Sequence, residues 1–275
     1  MATARIAAPA SVDERRAALT AEKLRIASTD DVELEGHLAA PDDDVDFAST
    51  GVIFLHGFPS GEVWADRIGA DLPELADRAA DQLRWFSLAI RFRGCGESTG
   101  DFSLQGWIDD VNAAVEYLHA QHGPERIWVC GFGTGGAVGL LAAAKDQRVS
   151  GVAIAGSPAD FDDWAANPNR LMAHAKRVGA ISGGSFPPDL DEWKDQLRRI
   201  RAVEAAEGFA PRPLLVLHGF EDDLVPNFDA RLLADAHMGA ELRVIGGAGH
   251  QLRHDPRAVA VLLGWLGRQE SELVS

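Results

Sequence analysis

Ile127-Trp128-Val129-Cys130-Gly131-Phe132-Gly133-Thr134-Gly135-Gly136 is the stretch on which the fold turns. Its first four residues are continuously apolar and include the β-branched Ile127 and Val129, the pattern of a strand covered on both faces. Glycines then alternate with Phe132 and Thr134, and glycine tolerates positive φ and close backbone approach. A helical pattern, Gly136–Lys145, comes directly after. A strand that turns this sharply into a helix is the building unit of an open parallel sheet.

The same rhythm extends in both directions. Strand patterns occur at Val52–Leu55, Ser87–Ile90, Val152–Ala155, Leu214–Leu217 and Leu242–Ile245. Helical patterns lie between or after them at Ile68–Gln82, Leu104–Gln121, Asn227–His237 and Pro256–Arg268. Asp101 and Ser103 offer cap oxygens before the second of these, and Asp255-Pro256 opens the last with a cap and an N1 proline. Leu24–Ala27 and Val32–Leu38 are expected to pair antiparallel through the turn Ser28-Thr29-Asp30-Asp31, with an acidic loop from Pro41 to Asp46. The prediction is an α/β fold with a mostly parallel central sheet and helices on both faces.

Ser157–Pro213 breaks the alternation. It holds helical pieces at Trp164–Val178 and Leu190–Ala206 around a Gly/Pro-rich bend, Ser182 to Pro188. We read residues 157–213 as a small helical cap inserted into a core formed by 1–156 and 214–275. Trp164, Met172, Phe186 and Trp193 are candidate pocket walls, with packing of the cap as their plainer role.

A chain of 275 residues with 46% hydrophobic content can bury a full core without disulfides or metals. Forty-two acidic against 26 basic residues give a net charge of −16, the wrong sign for tracking phosphates or adhering to anionic lipid. Neither nucleic acid nor membrane is therefore expected as a partner. Asp13, Glu14, Arg15 and Arg16 stand where a secretory leader needs apolar residues, and no run approaches bilayer length. The expected location is cytoplasmic. Cys95 and Cys130 make no disulfide framework, and Cys130 reads as a buried strand thiol.

Open α/β sheets bind ligands beyond the carboxyl ends of their strands. The residues just past each strand are therefore informative. His56-Gly57-Phe58-Pro59-Ser60-Gly61 comes after the first, and Arg91-Phe92-Arg93-Gly94-Cys95-Gly96-Glu97-Ser98-Thr99-Gly100 after the second. The third leads into Gly131–Gly136. Past the cap come His218-Gly219-Phe220-Glu221-Asp222-Asp223-Leu224-Val225-Pro226 and Gly246-Gly247-Ala248-Gly249-His250.

In this order the motifs resemble the α/β-hydrolase superfamily, in particular its small serine esterase and peptidase-like members, over Leu24 to Leu266. That resemblance implies a Gly-x-Ser-x-Gly elbow and a triad running Ser, acid, His along the chain. It implies Asp222 as the acid, His250 as the base, and the backbone N–H groups of Phe58 and Thr134 as oxyanion donors. The nucleophile position falls on Gly133, which has no side chain. Arg91 is a second departure, standing where relatives commonly carry Asp, in a role that is usually structural.

Glycine at that corner removes the attacking oxygen while relaxing a strained turn. Three functions are compatible with it. The first is a weakly active or non-catalytic relative that binds a small ester- or amide-like molecule. The second is a hydrolase or lyase in which His250 and Asp222 activate water. The third is a serine hydrolase whose serine has been exchanged for Gly133. Thr134, adjacent to Gly133, and Ser60, Ser98 and Cys95, on loops at the same sheet edge, are considered as substitutes. The plainer roles are an outward-pointing Thr134 side chain beside its oxyanion N–H, loop hydrogen bonding for the serines and an inert thiol for Cys95.

Gly131–Gly136 also fits the dinucleotide fingerprint G-x-G-x-x-G. That fingerprint needs an acid at the end of the next strand, which closes here as Ala155-Gly156-Ser157, with Asp160 only after Pro158. No cofactor is expected. His56, His218 and His250 lie at strand ends without an accompanying carboxylate or thiolate cluster, so no metal site is expected either.

Overall fold

Residues that alternate along a strand face opposite sides of the sheet, so a strand covered on both faces needs apolar residues at every position. The computed structural model, which describes residues 19–41, 50–60 and 63–273, contains eight strands. They are β1 (Leu19–Ala27), β2 (Glu33–Pro41), β3 (Thr50–Leu55), β4 (Phe86–Ile90), β5 (Arg126–Phe132), β6 (Val149–Ala155), β7 (Leu214–Gly219) and β8 (Glu241–Ile245). Their order in the sheet is β1-β2-β4-β3-β5-β6-β7-β8. The β1/β2 and β2/β4 pairs are antiparallel and the remainder are parallel. Every residue of β3 and β7 is buried, as the central position requires. Asp30 and Asp31 both take positive φ in the β1–β2 turn, the left-handed conformation that Asp tolerates.

Nine helices join these strands among the described residues. They are α1 (Leu72–Leu83), α2 (Leu104–His122), α3 (Thr134–Lys145), α4 (Asp162–Ala166), α5 (Pro168–Val178), α6 (Leu190–Arg199), α7 (Ala202–Phe209), α8 (Asn227–His237) and α9 (Pro256–Leu273). Two cores flank the sheet. Ile53, Leu55, Leu88, Val129 and Ile154 face α2, α3 and the 157–213 segment. Val52, Phe54, Ala89, Trp128 and Cys130 face α1 and α9.

Several boundaries differ from the sequence reading for local reasons. The helix expected from Ile68 begins at Leu72, because Gly69 sits at φ +73° and Pro73 occupies the first turn. Ser103 caps α2 by accepting the Gly106 N–H, whereas Asp101 accepts the N–H groups of Ser182 and Gly183. Trp164–Val178 is two helices broken at Asn167-Pro168, and Leu190–Ala206 is broken at Ile200-Arg201. The Arg201 guanidinium leaves the helix line to pair with Asp160 and Asp162.

Within 157–213, Trp193, Leu197, Ala202 and Phe209 join the same core as α2 and α3, and α7 packs on α3 and α8. Cys95 and Cys130 are free and buried. The acidic residues at 13–14 and their basic neighbours at 15–16, the loop after Pro41, and Gly61 lie outside the described residues. No described helix is long and apolar enough to cross a membrane.

Candidate active site

The β5–α3 corner is shaped by backbone crowding. A Cβ added at Gly135 would lie 2.0 Å from the His56 carbonyl oxygen, and one at Gly136 would lie 2.1 Å from Ser157 Oγ. At Gly131 it would meet Gly136 Cα at 2.4 Å. None of these distances is possible for a real side chain, so those glycines are required by space. Gly133 differs. Its Cβ would sit 3.5 Å from both Gly57 Cα and His250 Nε2, an ordinary van der Waals separation. Only its backbone, at φ +54° and ψ −129°, favours glycine. Its N–H donates to Ala155 O at 2.8 Å and its carbonyl accepts the Gly136 N–H at 3.0 Å, which holds the corner in place.

Facing the corner is a hydrogen-bonded acid–base pair. His250 Nδ1–H donates to Asp222 Oδ2 at 2.9 Å. Asp222 Oδ1 accepts the N–H groups of Leu224 and Val225, each at 2.9 Å. Burial opposes the Asp222 charge, but the His250 hydrogen bond and the two backbone donors outweigh it and hold the carboxyl below its ordinary range. Asp222 is therefore a carboxylate, the ring proton sits on Nδ1, and the Nε2 lone pair faces Gly133. Gly156, at φ +59°, makes room for the pair, since a Cβ there would lie 3.3 Å from Asp222 Oδ2. His218 stands behind Asp222, with Nε2 at 3.6 Å from Oδ2. It donates Nε2–H to Val225 O at 3.0 Å, which fixes the turn that supplies the two N–H groups.

The opposite wall is oriented by His56. This ring is fully buried, and burial lowers its pKa to about 3, so it is neutral. Its Nδ1–H donates to Gly57 O at 2.8 Å, and its Nε2 accepts the Phe92 N–H at 3.0 Å. In a planar trans peptide the N–H points opposite the carbonyl. Tying down the Gly57 oxygen thus turns the Phe58 N–H away from His56. Neither this N–H nor that of Thr134 donates to a protein acceptor among the described residues. Between these walls lies a pocket of about 20 Å³, lined in part by Gly57, Phe58, Gly133, His250 and Arg253. That is room for one water-sized group.

Three of the four substitute nucleophiles are occupied or buried, and the fourth, Ser60, is half-buried at the pocket wall. Ser98 Oγ–H donates to Arg91 O and accepts the Glu35 N–H. Cys95 is buried, which pushes its thiol pKa up, away from the reactive thiolate. Thr134 is buried, and Ser60 reaches the pocket wall but makes no hydrogen bond to His250 among the described residues. Arg91 donates to Asp66 O at 2.9 Å and lies 3.7 Å from Glu35, a loop-bracing position. Arg93 braces the same loop through buried Asp110, with Nη2 to Oδ1 at 2.7 Å.

The three cap aromatics and the methionine take the packing role. Trp193 is buried and donates to Phe102 O, while Trp164 packs on Phe58 and Phe161. Met172 and Phe186 lie half-buried against the core. Asp160, the acid weighed for a ribose, is paired with Arg201. Among the described residues no group of three or more His, Cys, Asp or Glu is arranged to hold a metal ion.

Two residues at the site carried no sequence signal. His174 on α5 donates Nε2–H to Pro59 O at 2.8 Å, which latches the 157–213 segment to the loop bearing Phe58. Arg253 lies three residues past His250 and borders the pocket. Both arrive from elements distant in sequence from Gly133.

Residues 52–262 match the family model described as the alpha/beta hydrolase family. The chain belongs to that family. Among curated relatives, it is 26% identical over 208 residues to protein bem46 of Schizosaccharomyces pombe, covering 74% of this chain and 62% of that one. It is 28% identical over 152 residues to the uncharacterized protein YfhR of Salmonella typhi, covering 52% and 46%. The chain spans about half the length of the curated relatives it matches. Among solved structures it resembles the Pyrococcus furiosus esterase Pf2001, with TM-score 0.64, 19% identity and coverage of 96% of each chain. It also resembles Est1E from Butyrivibrio proteoclasticus, with TM-score 0.65, 17% identity and coverage of 92% and 98%. At these identities the structural likeness establishes the fold.

Proposed function

We propose that this alpha/beta hydrolase relative binds a small ester- or amide-like molecule with little or no catalysis, because it keeps an acid–base pair and lacks the atom that would attack. In this proposal Asp222 and His250 are the retained pair, the Phe58 and Thr134 N–H groups are the oxyanion donors, and Gly133 is the vacant nucleophile position. Residues 157–213 form the cap. We place the protein in the cytoplasm, consistent with two free thiols.

One observation carries the proposal. A Cβ at Gly133 would lie 3.5 Å from His250 Nε2, where a serine hydroxyl would meet the base, and no described side-chain oxygen or sulfur bonds to Nε2 in its place. Removing a triad serine leaves about 10³–10⁴-fold acceleration over water, against the roughly 10⁶-fold or more usual for enzymes.

The pocket supports a second reading, in which one water replaces the hydroxyl and is activated by His250. Its volume of about 20 Å³ suits a single water. A p-nitrophenyl ester and amide screen on the unmodified chain and on His250→Ala separates the two. Equal background rates support binding without chemistry. Turnover that His250→Ala abolishes overturns it in favour of the water route.

A further inference from the structure

We propose that the cavity beside Trp64 is a second ligand site, separate from the Gly133 pocket, and that it holds a neutral saccharide with a pyranose ring on the indole face. Val63 and Ile68 line the small pocket, whereas Trp64, Asp66 and Arg67 line this cavity, so a single turn of chain divides the two. The site does not depend on catalysis, or its absence, at Gly133.

The cavity measures about 690 Å³, which lies in the range of small-molecule sites. Its walls are tied together through the backbone. The Ala65 N–H donates to Val178 O at the end of α5, and the Gly96 N–H donates to Ala65 O, each at 2.9 Å. Arg91 donates to Asp66 O at 2.9 Å. These bonds hold the 64–67 turn, the 94–100 loop and the end of α5 at fixed separation, so the space is formed before any ligand enters. Gly179 opens onto it, since no atom lies within 4 Å of a Cβ added there.

Three side chains on this cavity have no partner among the described residues. Trp64 is 51% exposed, stacks on no other ring and has no cation over its face. Asp66 and Arg67, both exposed, make no side-chain hydrogen bond or ion pair. A free indole face is a stacking platform whose negative potential attracts weakly positive C–H groups, such as those on one face of a pyranose. A carboxylate only accepts hydrogen bonds and a guanidinium only donates them. Hydroxyls do both, so one hydroxylated ring satisfies Asp66 and Arg67 together. Ser182 adds an oxygen whose proton goes to Asp101 at 3.3 Å and whose lone pairs accept.

Charge separates a saccharide from the other planar ligands. Asp66 repels an anion, as does the net charge of −16. Arg67 repels a cation. An uncharged ligand meets neither cost, and an uncharged ring without hydroxyls gains nothing from Asp66 or Arg67.

The test is a ¹⁵N–¹H correlation titration of the full chain at constant ionic strength. It follows the Trp64 indole N–H, identified by its loss in Trp64→Phe, and the Gly179 and Ser182 amides. The saccharides are maltose, cellobiose and xylobiose, and the comparison ligands are glycerol, sodium benzoate and L-phenylalanine. At least one disaccharide should shift these signals saturably, with every comparison ligand at least about tenfold weaker. Trp64→Ala, read through the two amides, should weaken that disaccharide about tenfold. Asp66→Ala and Arg67→Gln should each weaken it about three- to tenfold. Arg243→Gln, an exposed arginine paired to Glu241 on β8, should change nothing. The inference is overturned if no disaccharide moves the signals, if glycerol, benzoate or phenylalanine matches the disaccharides, or if Trp64→Ala binds like the unmodified chain. Turnover of p-nitrophenyl esters, which decides the functional reading, leaves each of these outcomes unchanged.

Discussion

The Gly131–Gly136 corner and the Asp222–His250 pair face each other across one small pocket, yet they are held by different forces. The corner is held by steric exclusion. His56 O, Ser157 Oγ and Gly136 itself leave no room for a Cβ at Gly135, Gly136 or Gly131. The pair is held by hydrogen bonds to charge, with His250 and two backbone N–H groups all donating to Asp222. The difference explains how the site can lose its reacting atom and keep its shape. Nothing in the corner depends on what Gly133 carries, whereas the pair depends on the ionisation of one carboxyl.

The sharpest way to break this contrast is to add one carbon at two neighbouring positions. Gly135→Ala should leave the chain largely unfolded, a loss above about 5 kcal/mol, because its Cβ would be 2.0 Å from a backbone oxygen. Gly133→Ala should remain folded and cost only about 1–3 kcal/mol for its positive φ. Urea unfolding of the two variants measures both, and similar stabilities would refute steric control of the corner.

Acid should loosen the wall next to the corner before it reaches the pair. Unfolded His56 takes a proton below about pH 6.5, while the buried ring stays neutral down to about 3. Stability contributed by burying the neutral ring is complete above pH 6.5 and falls as pH drops towards 3. At roughly 1.4 kcal/mol per unit, this amounts to as much as about 5 kcal/mol. His56→Asn should flatten the decline in a melting series from pH 7 to 4, and an unchanged slope would remove His56 as its cause.

Restoring the attacking atom probes whether the pair is competent. Gly133→Ser should raise p-nitrophenyl acetate cleavage at least about 10²-fold over the unmodified chain, and His250→Ala in that background should erase the gain. No gain would mean that the pair does not activate a hydroxyl despite its geometry.

Asp222→Asn should have the smallest effect, about 1.5 kcal/mol from lost charge-assisted hydrogen bonding. Because the Asp222 pKa is lowered in the fold, its stabilisation exists above the ordinary carboxylate range and disappears as pH falls through it. The variant and the unmodified chain should therefore converge in stability only as pH falls below the ordinary carboxylate range, and parallel pH curves would deny the carboxylate a role.

Much of this molecule was legible in the order of its residues. Continuous apolar runs marked β3, β5, β6 and β7, and glycine-rich turns marked the strand ends where Gly133, Asp222 and His250 lie. Of the two helix breaks inside 157–213, the one at Pro168 carries a proline signal, whereas the one at Ile200-Arg201 was not legible, since it interrupts no apolar period. That break goes with a guanidinium held by Asp160 and Asp162. Arg253 and His174 were invisible because their significance comes from the groups that lie opposite them, not from their neighbours in the chain.

Local chemistry by itself determined that the central strands are largely apolar, that the corner can turn at positive φ, and that no heteroatom stands at residue 133. These are matters of side-chain composition and period, which need no knowledge of distant contacts. Only the tertiary structure decided which glycines are compulsory, that His250 Nε2 faces the vacant position, and that His56 aims the Phe58 N–H. Each of those depends on distances of a few ångströms between segments far apart in sequence, and such distances exist only once the sheet has brought its strand ends together.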